Sequence, residues 1–228
     1  YAGVGQNALR HLALAGVEYP PGRLGEGLLD RELRALNAFA EAHKHFTAEA
    51  SLPPWDATLA FRLDGEDWHL TGAFADLRPS GLVRQRYDDT RATDYLSGWL
   101  SHLFLCAARP EGVALETRWL SRDGEYRLWP CPEAHEILHA LVLLYREGLS
   151  APLHFFPKSA WAYIRHGESR YMAATTWQSS QNSDWSEAGH PAYRLALRGV
   201  GTPLDEAFYA NAGTVFGRML DYLEDARL

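Results

Sequence analysis

The chain has 228 residues and a formal net charge of -7, with 22 Lys and Arg against 29 Asp and Glu. A free-standing DNA-binding domain carries a basic surface, so this balance argues against one and assigns any contact with nucleic acid to a larger assembly. Aromatic residues form 12% of the sequence, which excludes a disordered segment and predicts one packed domain over residues 1–228. Because the first residue is Tyr1 rather than Met, we expect a fragment of a longer chain.

The two cysteines, Cys106 and Cys131, are too few for a disulfide framework in a chain of this size or for a four-cysteine zinc site. We expect both to be free thiols in a reducing cytoplasm. No apolar run reaches the roughly 18 residues of a membrane-spanning helix, and no signal-like leader opens the sequence. We therefore expect no membrane partner and a cytoplasmic location.

Apolar residues at helical spacing predict a helix over residues 1–16 and a second helix from about Gly27 to Phe46. The apolar stripe of the second helix consists of Leu29, Leu33, Leu36 and Ala40. Pro53 and Pro54 prevent any continuation of this helix.

Three strand segments follow, and the turn signals between them predict an antiparallel meander. Asp64-Gly65 is a strong hairpin dipeptide, and Pro79-Ser80-Gly81 marks the second turn. The predicted strands cover residues 58–63, 68–77 and 82–87. A helix over residues 93–108 is predicted after them.

A second hairpin signal, Asp123-Gly124, joins predicted strands over residues 113–121 and 125–128. A helix is then predicted from Pro132 to Glu147, and Gly148 is predicted to cap its C-terminus. The hairpin and this helix follow each other with only a short connection.

The last part of the chain is predicted to be helical around one polar loop. Helices are predicted over residues 159–174 and 204–223, and residues 175–192, rich in Ser, Thr, Gln and Asn, predict a mobile loop. The succession of helices, strand cluster, helix, hairpin and helices indicates one α/β domain with a mixed sheet between helices.

The segment His135-Glu136-Ile137-Leu138-His139 matches the HExxH pattern of zinc hydrolases. Two His at i and i+4 share one helix face and could hold Zn²⁺, while Glu136 would activate the bound water. The extended pattern of such enzymes is missing, and candidates for a third ligand are scattered; they are Glu147, His154, His166 and Glu168. We favour the plainer interpretation of two His on a partly exposed helix face, with Glu136 stabilised in the first turn by the helix dipole. A zinc hydrolase is the less favoured alternative.

The predicted meander has the layout of a different metal site. Nucleases of the PD-(D/E)xK type hold Mg²⁺ with an Asp near the end of one strand and an acid on the next, where a Lys two residues further positions the attacking water. Here the Asp position falls on Ala75, and Asp76 stands one residue away, which on a strand directs its side chain to the opposite face. A live Mg²⁺-dependent nuclease is the alternative that this displaced Asp argues against.

Arg84 and Arg86 occupy the positions where the acid and the Lys of such a nuclease are expected, and no Lys lies between residues 44 and 158. Guanidinium groups do not hold Mg²⁺, so we predict a degenerate site with no catalytic residue and no cofactor. The two Arg are candidate DNA-phosphate contacts. Alternatively, they pair with Asp88 and Asp89, or they lie on an ordinary solvated strand face.

Three aromatic residues, Trp119, Tyr126 and Trp129, lie around the second hairpin and could stack on unpaired bases. We favour a place in the core or at a domain interface for them. The P-loop pattern is absent, so we expect no ATP site of that type in this sequence.

One long stretch, residues 145–163 (YREGLSAPLHFFPKSAWAY), is far more specific than any short motif. Shorter stretches accompany it; they are YPPG at 19–22, EGLLDREL at 26–33, LTG at 70–72, PSGLVR at 79–84, WLSHLFLCA at 99–107 and RDGEYR at 122–127. In this order they resemble the C-terminal part of the RecC family, the gamma subunits of RecBCD-type exodeoxyribonuclease V. The resemblance covers most of the chain, although residues 175–200 match only loosely.

The resemblance implies a part of a subunit that works with RecB and RecD subunits in an ATP-driven helicase-nuclease at double-strand breaks. It also implies a decayed PD-(D/E)xK, restriction-endonuclease-like core with a mixed sheet flanked by helices, in agreement with the missing acids and Lys. In the family this region helps to part the incoming duplex with a projecting pin and guides single strands. We therefore predict a non-catalytic domain that docks RecB-type and RecD-type subunits and guides DNA in recombinational repair.

Overall fold

The computed structural model of the chain describes residues 6–178 and 186–228, in which helices lie on both faces of a five-stranded mixed sheet. The helices are α1 (Gln6–Ala15), α2 (Arg23–Phe46), α3 (Ala92–Ala108), α4 (Ala134–Gly148), α5 (Pro157–Arg165), α6 (Arg170–Gln178), α7 (Pro191–Ala196) and α8 (Glu206–Phe216). None of these described helices combines the length and the apolar character needed to cross a membrane.

The strands form two sheets. They are β1 (Trp55–Leu63), β2 (Glu66–Phe74), β3 (Leu77–Arg78), β4 (Gly81–Arg86), β5 (Thr117–Ser121), β6 (Gly124–Leu128) and β7 (Leu223–Asp225). Among the described residues β1 and β2 pair only with each other, and the larger sheet has the order β3-β4-β5-β6-β7. Only β4 and β5 run parallel, and α3 makes the crossover that a parallel pair requires. The predicted α/β class with a mixed sheet between helices is therefore confirmed.

Both predicted hairpins are confirmed, but the second turn lies at Arg122 and Asp123, one residue before the predicted Asp123-Gly124. Asp64 (φ 51°) and Gly65 (φ 88°) both lie in the left-handed region, as a two-residue turn between twisted strands demands, and they join β1 to β2 in antiparallel register. The second hairpin pairs β5 with β6 up to Ser121 opposite Gly124.

The predicted three-stranded meander is wrong, because the middle strand is broken after Phe74. Phe74 and Leu77 are both buried in one cluster with Leu82 and Phe104. A straight strand alternates its side chains with a period of two and cannot bury residues three apart on one face. The chain bends at Ala75 and Asp76, so β2 remains with β1 while β3 joins the larger sheet.

The alternation of β4 divides its side chains between two helices. Val83 packs against Phe46 of α2 on one face of the sheet. Leu82 packs against Phe104 of α3 on the other face. Arg84 lies two residues after Leu82 and shares its face, so it points toward α3.

The predicted apolar stripe of α2 is only partly buried. Leu29 is 5% exposed, but Leu33 and Leu36 are among the exposed large apolar side chains. The face of α2 that meets the sheet lies nearer its C-terminus, where Phe46 packs against Val83 with Phe39 and Ala42 around it. Helical spacing therefore identified the element but not the side that packs.

The predicted helix over residues 159–174 is interrupted. Gly167 (φ 66°) and Glu168 (φ 60°) adopt left-handed backbone conformations that end α5 before α6 begins. Residues 175–178 belong to α6 and Pro191–Ala196 form α7, so the loop predicted over residues 175–192 is shorter at both ends. The centre of that loop, residues 179–185, lies outside the described residues.

Two predictions about helix ends are also wrong. Gly148 is the last residue of α4 and not a left-handed cap, because the chain stays helical at Leu149 while Leu153 packs over the glycine. The predicted helix over residues 204–223 ends at Phe216, and the chain continues through a short 3₁₀ turn into β7. β7 pairs with β6 and so completes the larger sheet.

Replacement of Gly98 by Ala tests the packing of α3 on the sheet. A Cβ atom at Gly98 would lie 2.1 Å from the Tyr126 hydroxyl, which is buried and donates to the Asp94 carbonyl at 3.0 Å. We expect Gly98→Ala to lower the free energy of unfolding by about 3 kcal/mol, since it combines overpacking with a broken buried hydrogen bond. The measurement is urea denaturation of both proteins.

The matched control is Gly27→Ala in α2, where no atom lies within 4 Å of the added Cβ. There the substitution should raise the free energy of unfolding by roughly 0.5–1 kcal/mol through helix propensity. Equal effects of the two substitutions would contradict this description of the packing.

Candidate functional site

Arg84 lies where the bend at residues 75–76, strand β4 and the middle of α3 meet, and we call the group of Asp76, Arg84 and Ser101 the nuclease-like site. The Arg84 Nε donates to Asp76 Oδ2 at 3.1 Å and its Nη1 donates to Ser101 Oγ at 2.9 Å. The Ser101 hydroxyl in turn donates to the Ser97 carbonyl at 2.8 Å. Arg84 is thus fixed at both ends, and one of its partners is the acid nearest to the metal position.

The placement of Asp76 corrects the sequence prediction. A one-residue slip on a continuous strand would have turned its carboxylate to the opposite face. Because the strand is broken at this point, the carboxylate of Asp76 instead lies beside Arg84. Ala75, which stands at the metal Asp position, is exposed and offers no ligand.

Arg86 is held in a second group of charges at the start of α3. Its Nη1 donates to Asp88 Oδ2 at 3.1 Å, and its Nη2 donates to the Asp89 carbonyl at 3.0 Å and to the Asp94 carboxylate. Asp94 is 7% exposed and also accepts from the backbone N–H of Arg91 at 2.8 Å. The expected pairing with Asp88 is present, whereas Asp89 uses its carboxylate for another partner, Arg122.

The two Arg therefore have internal anionic partners in this structure. A carboxylate that accepts from a guanidinium at hydrogen-bond distance has lone pairs already engaged and a positive charge beside it. Contact of Arg84 or Arg86 with a DNA phosphate stays a prediction.

The HExxH residues make packing contacts with the hairpin. The His135 ring stacks on Phe61 with ring centres 4.8 Å apart, and His139 Nε2 donates to the Arg62 carbonyl at 3.4 Å. Glu136 is exposed. Within residues 6–178 and 186–228, no three His, Cys, Asp or Glu side chains are grouped closely enough to hold a metal ion.

The aromatic residues of the second hairpin take different positions. Trp119 and Tyr126 are 7% and 1% exposed and stack on each other with ring centres 5.9 Å apart. Trp129 is 40% exposed, but the Arg127 guanidinium lies 3.8 Å from its ring centre and its Nε1 donates to Glu224 at 3.0 Å. The core placement that we favoured is confirmed for Trp119 and Tyr126.

A family model described as the RecC C-terminal domain matches residues 2–168, which are well over half of the chain and include Asp76, Arg84 and Ser101. The chain belongs to the RecC C-terminal domain family. The RecBCD enzyme subunit RecC of Escherichia coli (strain K12) is 38% identical to it over 100 residues, which are 42% of this chain. The match spans 9% of that subunit.

A cavity with a volume of about 370 Å³ lies apart from Arg84, Arg86 and the HExxH residues in this RecC-family chain. Lys158 and Arg165 of α5, Asp123 of the second hairpin and Arg227 beyond β7 line it. No local pattern reveals this grouping, because its members come from three distant parts of the chain. Arg227 also bridges Asp123 and Asp225. The pKa of Asp225 is lowered, because burial raises it by less than the hydrogen bonds from Arg227 and Tyr95 together lower it.

Another residue missed by the sequence reasoning is His102, which is fully buried on α3 one residue after Ser101. Its Nδ1 lies 3.0 Å from Thr117 Oγ1 of β5, and its Nε2 lies 2.9 Å from the Trp129 carbonyl. Burial lowers the pKa of His102 to about 4, although the bond to the carbonyl partly opposes this. The neutral imidazole of His102 therefore links α3 to strand β5 of the larger sheet.

Acidification should weaken this link. Because the pKa of His102 is about 4 when folded and about 6.5 when unfolded, its contribution is complete above pH 6.5 and is lost as the pH falls toward 4. We expect the unfolding free energy of the wild type to fall by about 3 kcal/mol more over this range than that of His102→Gln. Chemical denaturation at a series of pH values measures this, and identical pH dependence of the two proteins would refute it.

Proposed function

We propose that the chain is a non-catalytic module of a RecBCD-type exodeoxyribonuclease V, in which it belongs to the gamma subunit. The observation that carries the proposal is the Arg84–Asp76 ion pair in the nuclease-like site. It adds to membership of the RecC C-terminal domain family and to the likeness to a RecBCD enzyme subunit.

The order of elements supports a PD-(D/E)xK ancestry. A strand that ends at Phe74, a bend, the short strand β3, strand β4, the crossover helix α3 and the parallel strand β5 follow one another in the order of the nuclease layout, although β2 pairs with β1 and not with the larger sheet. In that layout Arg84 and Arg86 stand where an acid and a Lys would act. Mg²⁺ takes oxygen ligands, so Arg84 both fails as a ligand and neutralises the Asp76 carboxylate.

The chemistry of the site therefore favours a structural role. In a live nuclease two carboxylates hold the cation that activates water and stabilises the charge developing at the phosphorus. Here Asp76 and Asp94 each accept from an Arg that lies on β4. The arrangement fastens the bend and the start of α3 to the sheet, and it leaves strand cleavage to another part of the complex.

The same ion pairs limit what Arg84 and Arg86 offer to DNA. Their side chains are 25% and 33% exposed and engaged with carboxylates, and the chain is acidic overall. We propose that DNA binding by the chain alone is weak and strongly salt-dependent, and that DNA is guided only within the complex with RecB-type and RecD-type subunits. Fluorescence anisotropy over a salt series tests this, and tight binding that persists at high salt would contradict it.

Both hairpin turns are fastened down, which bears on how the chain parts a duplex. Asp64 at the first turn accepts from Arg146 of α4 at 2.6 Å. Asp123 at the second turn accepts from the Thr90 hydroxyl at 2.9 Å and pairs with Arg227. We propose that the chain acts on DNA as a rigid body that supports a strand-separating surface, with neither of these two turns as a free pin.

The deciding experiment is a cleavage assay with the purified chain, linear duplex DNA, single-stranded DNA and Mg²⁺. We expect no cleavage above that of the buffer, because the one carboxylate of the nuclease-like site, Asp76, is paired with Arg84 and cannot hold Mg²⁺ alone. The control is Asp76→Ala, which should behave like the wild type in this assay. Robust cleavage by the wild type that Asp76→Ala abolishes would establish a live nuclease instead.

A further inference from the structure

Among the described residues, both outer strand edges of the first hairpin lack a backbone partner, and the edge of β2 is the one that lies beside an apolar groove. β2 pairs along its full length with β1, from Phe74 opposite Trp55 to Glu66 opposite Leu63. Within residues 6–178 and 186–228 no other strand pairs with β2, and no loop backbone bonds to it. Proteins normally protect such an edge with Pro, a bulge or several charges, or they cover it.

The turn determines which residues face this open edge. In a two-residue turn with both φ values positive, the flanking residues Leu63 and Glu66 exchange both of their backbone hydrogen bonds. Such pairs alternate along an antiparallel ladder with pairs that direct their N–H and C=O groups outward. The outward-directed residues of β2 are Asp67, His69, Thr71 and Ala73, which include no Pro and one charge.

An apolar groove with a volume of about 530 Å³ runs beside this edge. Trp68, His69 and Leu70 of β2 form one wall, and no residue of β1 lines the groove. Side chains of α3 and α4 form the floor; they include Leu96, Leu100, Leu138, Leu141 and Val142. Leu100 is 39% exposed, and Tyr145 at the end of the groove is 62% exposed.

The edge and the groove suit one kind of occupant. A third strand that paired with β2 would place every second side chain on the face of Trp68 and Leu70, directly over the groove. Its remaining side chains would share the solvent face of His69 and Thr71. The backbone ladder would supply affinity, and the groove would select alternate apolar side chains.

The charges around the turn add a preference. Three carboxylates, Asp64, Glu66 and Asp67, stand there against two guanidinium groups, Arg62 and Arg146. The chain as a whole carries a net charge of -7. A basic residue near this end of the added strand would complement the excess of negative charge.

We propose that the open edge of β2 and its apolar groove receive an extended segment of a partner subunit, which adds to the hairpin as a third strand. This segment has alternate apolar side chains and a basic residue near the turn at Asp64. The inference rests on the proposed function, because it takes the occupant from the RecB-type or RecD-type subunit of the complex.

A matched pair of Pro substitutions tests the backbone ladder. Thr58 and Thr71 lie opposite each other, with their hydroxyl oxygens 3.3 Å apart, and each directs its N–H away from the hairpin at its own outer edge. Thr71→Pro removes a donor from the open edge of β2, whereas Thr58→Pro removes its counterpart from β1. Neither substitution removes a hydrogen bond between β1 and β2.

Each variant is co-expressed with the RecB-type and RecD-type subunits of the same genome, and assembly is measured on the purified proteins. We expect Thr71→Pro to weaken assembly at least about tenfold and Thr58→Pro to leave it within about twofold. Leu100→Asp in the groove should weaken assembly like Thr71→Pro, and Leu24→Asp, at an exposed position of α2, should not.

Hydrogen exchange of the wild type gives a second measure that does not depend on the folding of a variant. In the complex the amides of His69 and Thr71 should exchange at least about tenfold more slowly than in the chain alone, while that of Thr58 is unchanged. Equal assembly of both Pro variants, without protection of β2, would overturn this inference and leave the proposed function standing. Protection of β2 in the chain alone would assign the edge to a second copy or to the chain itself and would also overturn it. Failure of the wild type to assemble with either subunit would overturn the inference and the proposed function together.

Discussion

The hydrogen bonds of the Arg84 guanidinium to the Asp76 carboxylate and the Ser101 hydroxyl are the interactions on which the nuclease-like site depends. It joins three elements that follow closely on one another in the chain: the bend after β2, strand β4 and helix α3. Two structural conditions make it possible. The break at residues 75–76 brings Asp76 to the α3 side, and the alternation of β4 directs Arg84 to the same side. A partly exposed ion pair of this kind contributes little to stability by itself, so its importance lies in where it puts a positive charge.

That positive charge is what would distinguish the proposed module from the nucleases that we propose as its ancestry. A cation site needs carboxylates with free lone pairs, and here each nearby acid accepts from an Arg. The chain belongs to the RecC C-terminal domain family, and the similar protein from Escherichia coli is a subunit of the RecBCD enzyme, which is the context of the proposed non-catalytic role. The open edge of β2 is where we propose that a partner binds, because its outward-directed N–H and C=O groups have no backbone partner among the described residues.

Local signals predicted the parts of the fold that depend on neighbouring residues. Asp64-Gly65 specified its turn because a two-residue turn of this type needs residues that tolerate a left-handed backbone. Asp123-Gly124 located the second hairpin only to within one residue, since Ser121 pairs with Gly124 and the turn there is Arg122-Asp123. Apolar spacing located α2, α3 and α4. The assignment of Arg84 and Arg86 to the acid and Lys positions of a nuclease also came from spacing within one strand, and it stays a prediction.

Features set by tertiary contacts were not predictable in the same way. The burial of Phe74 and Leu77 in one cluster broke a strand that looked continuous, and this reversed the predicted direction of the Asp76 side chain. The partners of Arg86 and His102 depend on the register between β4, β5 and α3, which no local pattern encodes. β7 was not predicted, and the last helix was predicted too long, because Met219 and Tyr222 continue the helical spacing of Phe208, Ala212 and Val215 beyond Phe216.

The most direct test of the central claim is the binding of Mg²⁺ to the purified chain, measured by isothermal titration calorimetry with the wild type and Asp76→Asn. With Arg84 paired to Asp76, neither protein should show saturable binding, and the two titrations should be the same within error. Stoichiometric binding of one Mg²⁺ per wild-type chain, lost in Asp76→Asn, would contradict the claim that paired charges have replaced the cation site.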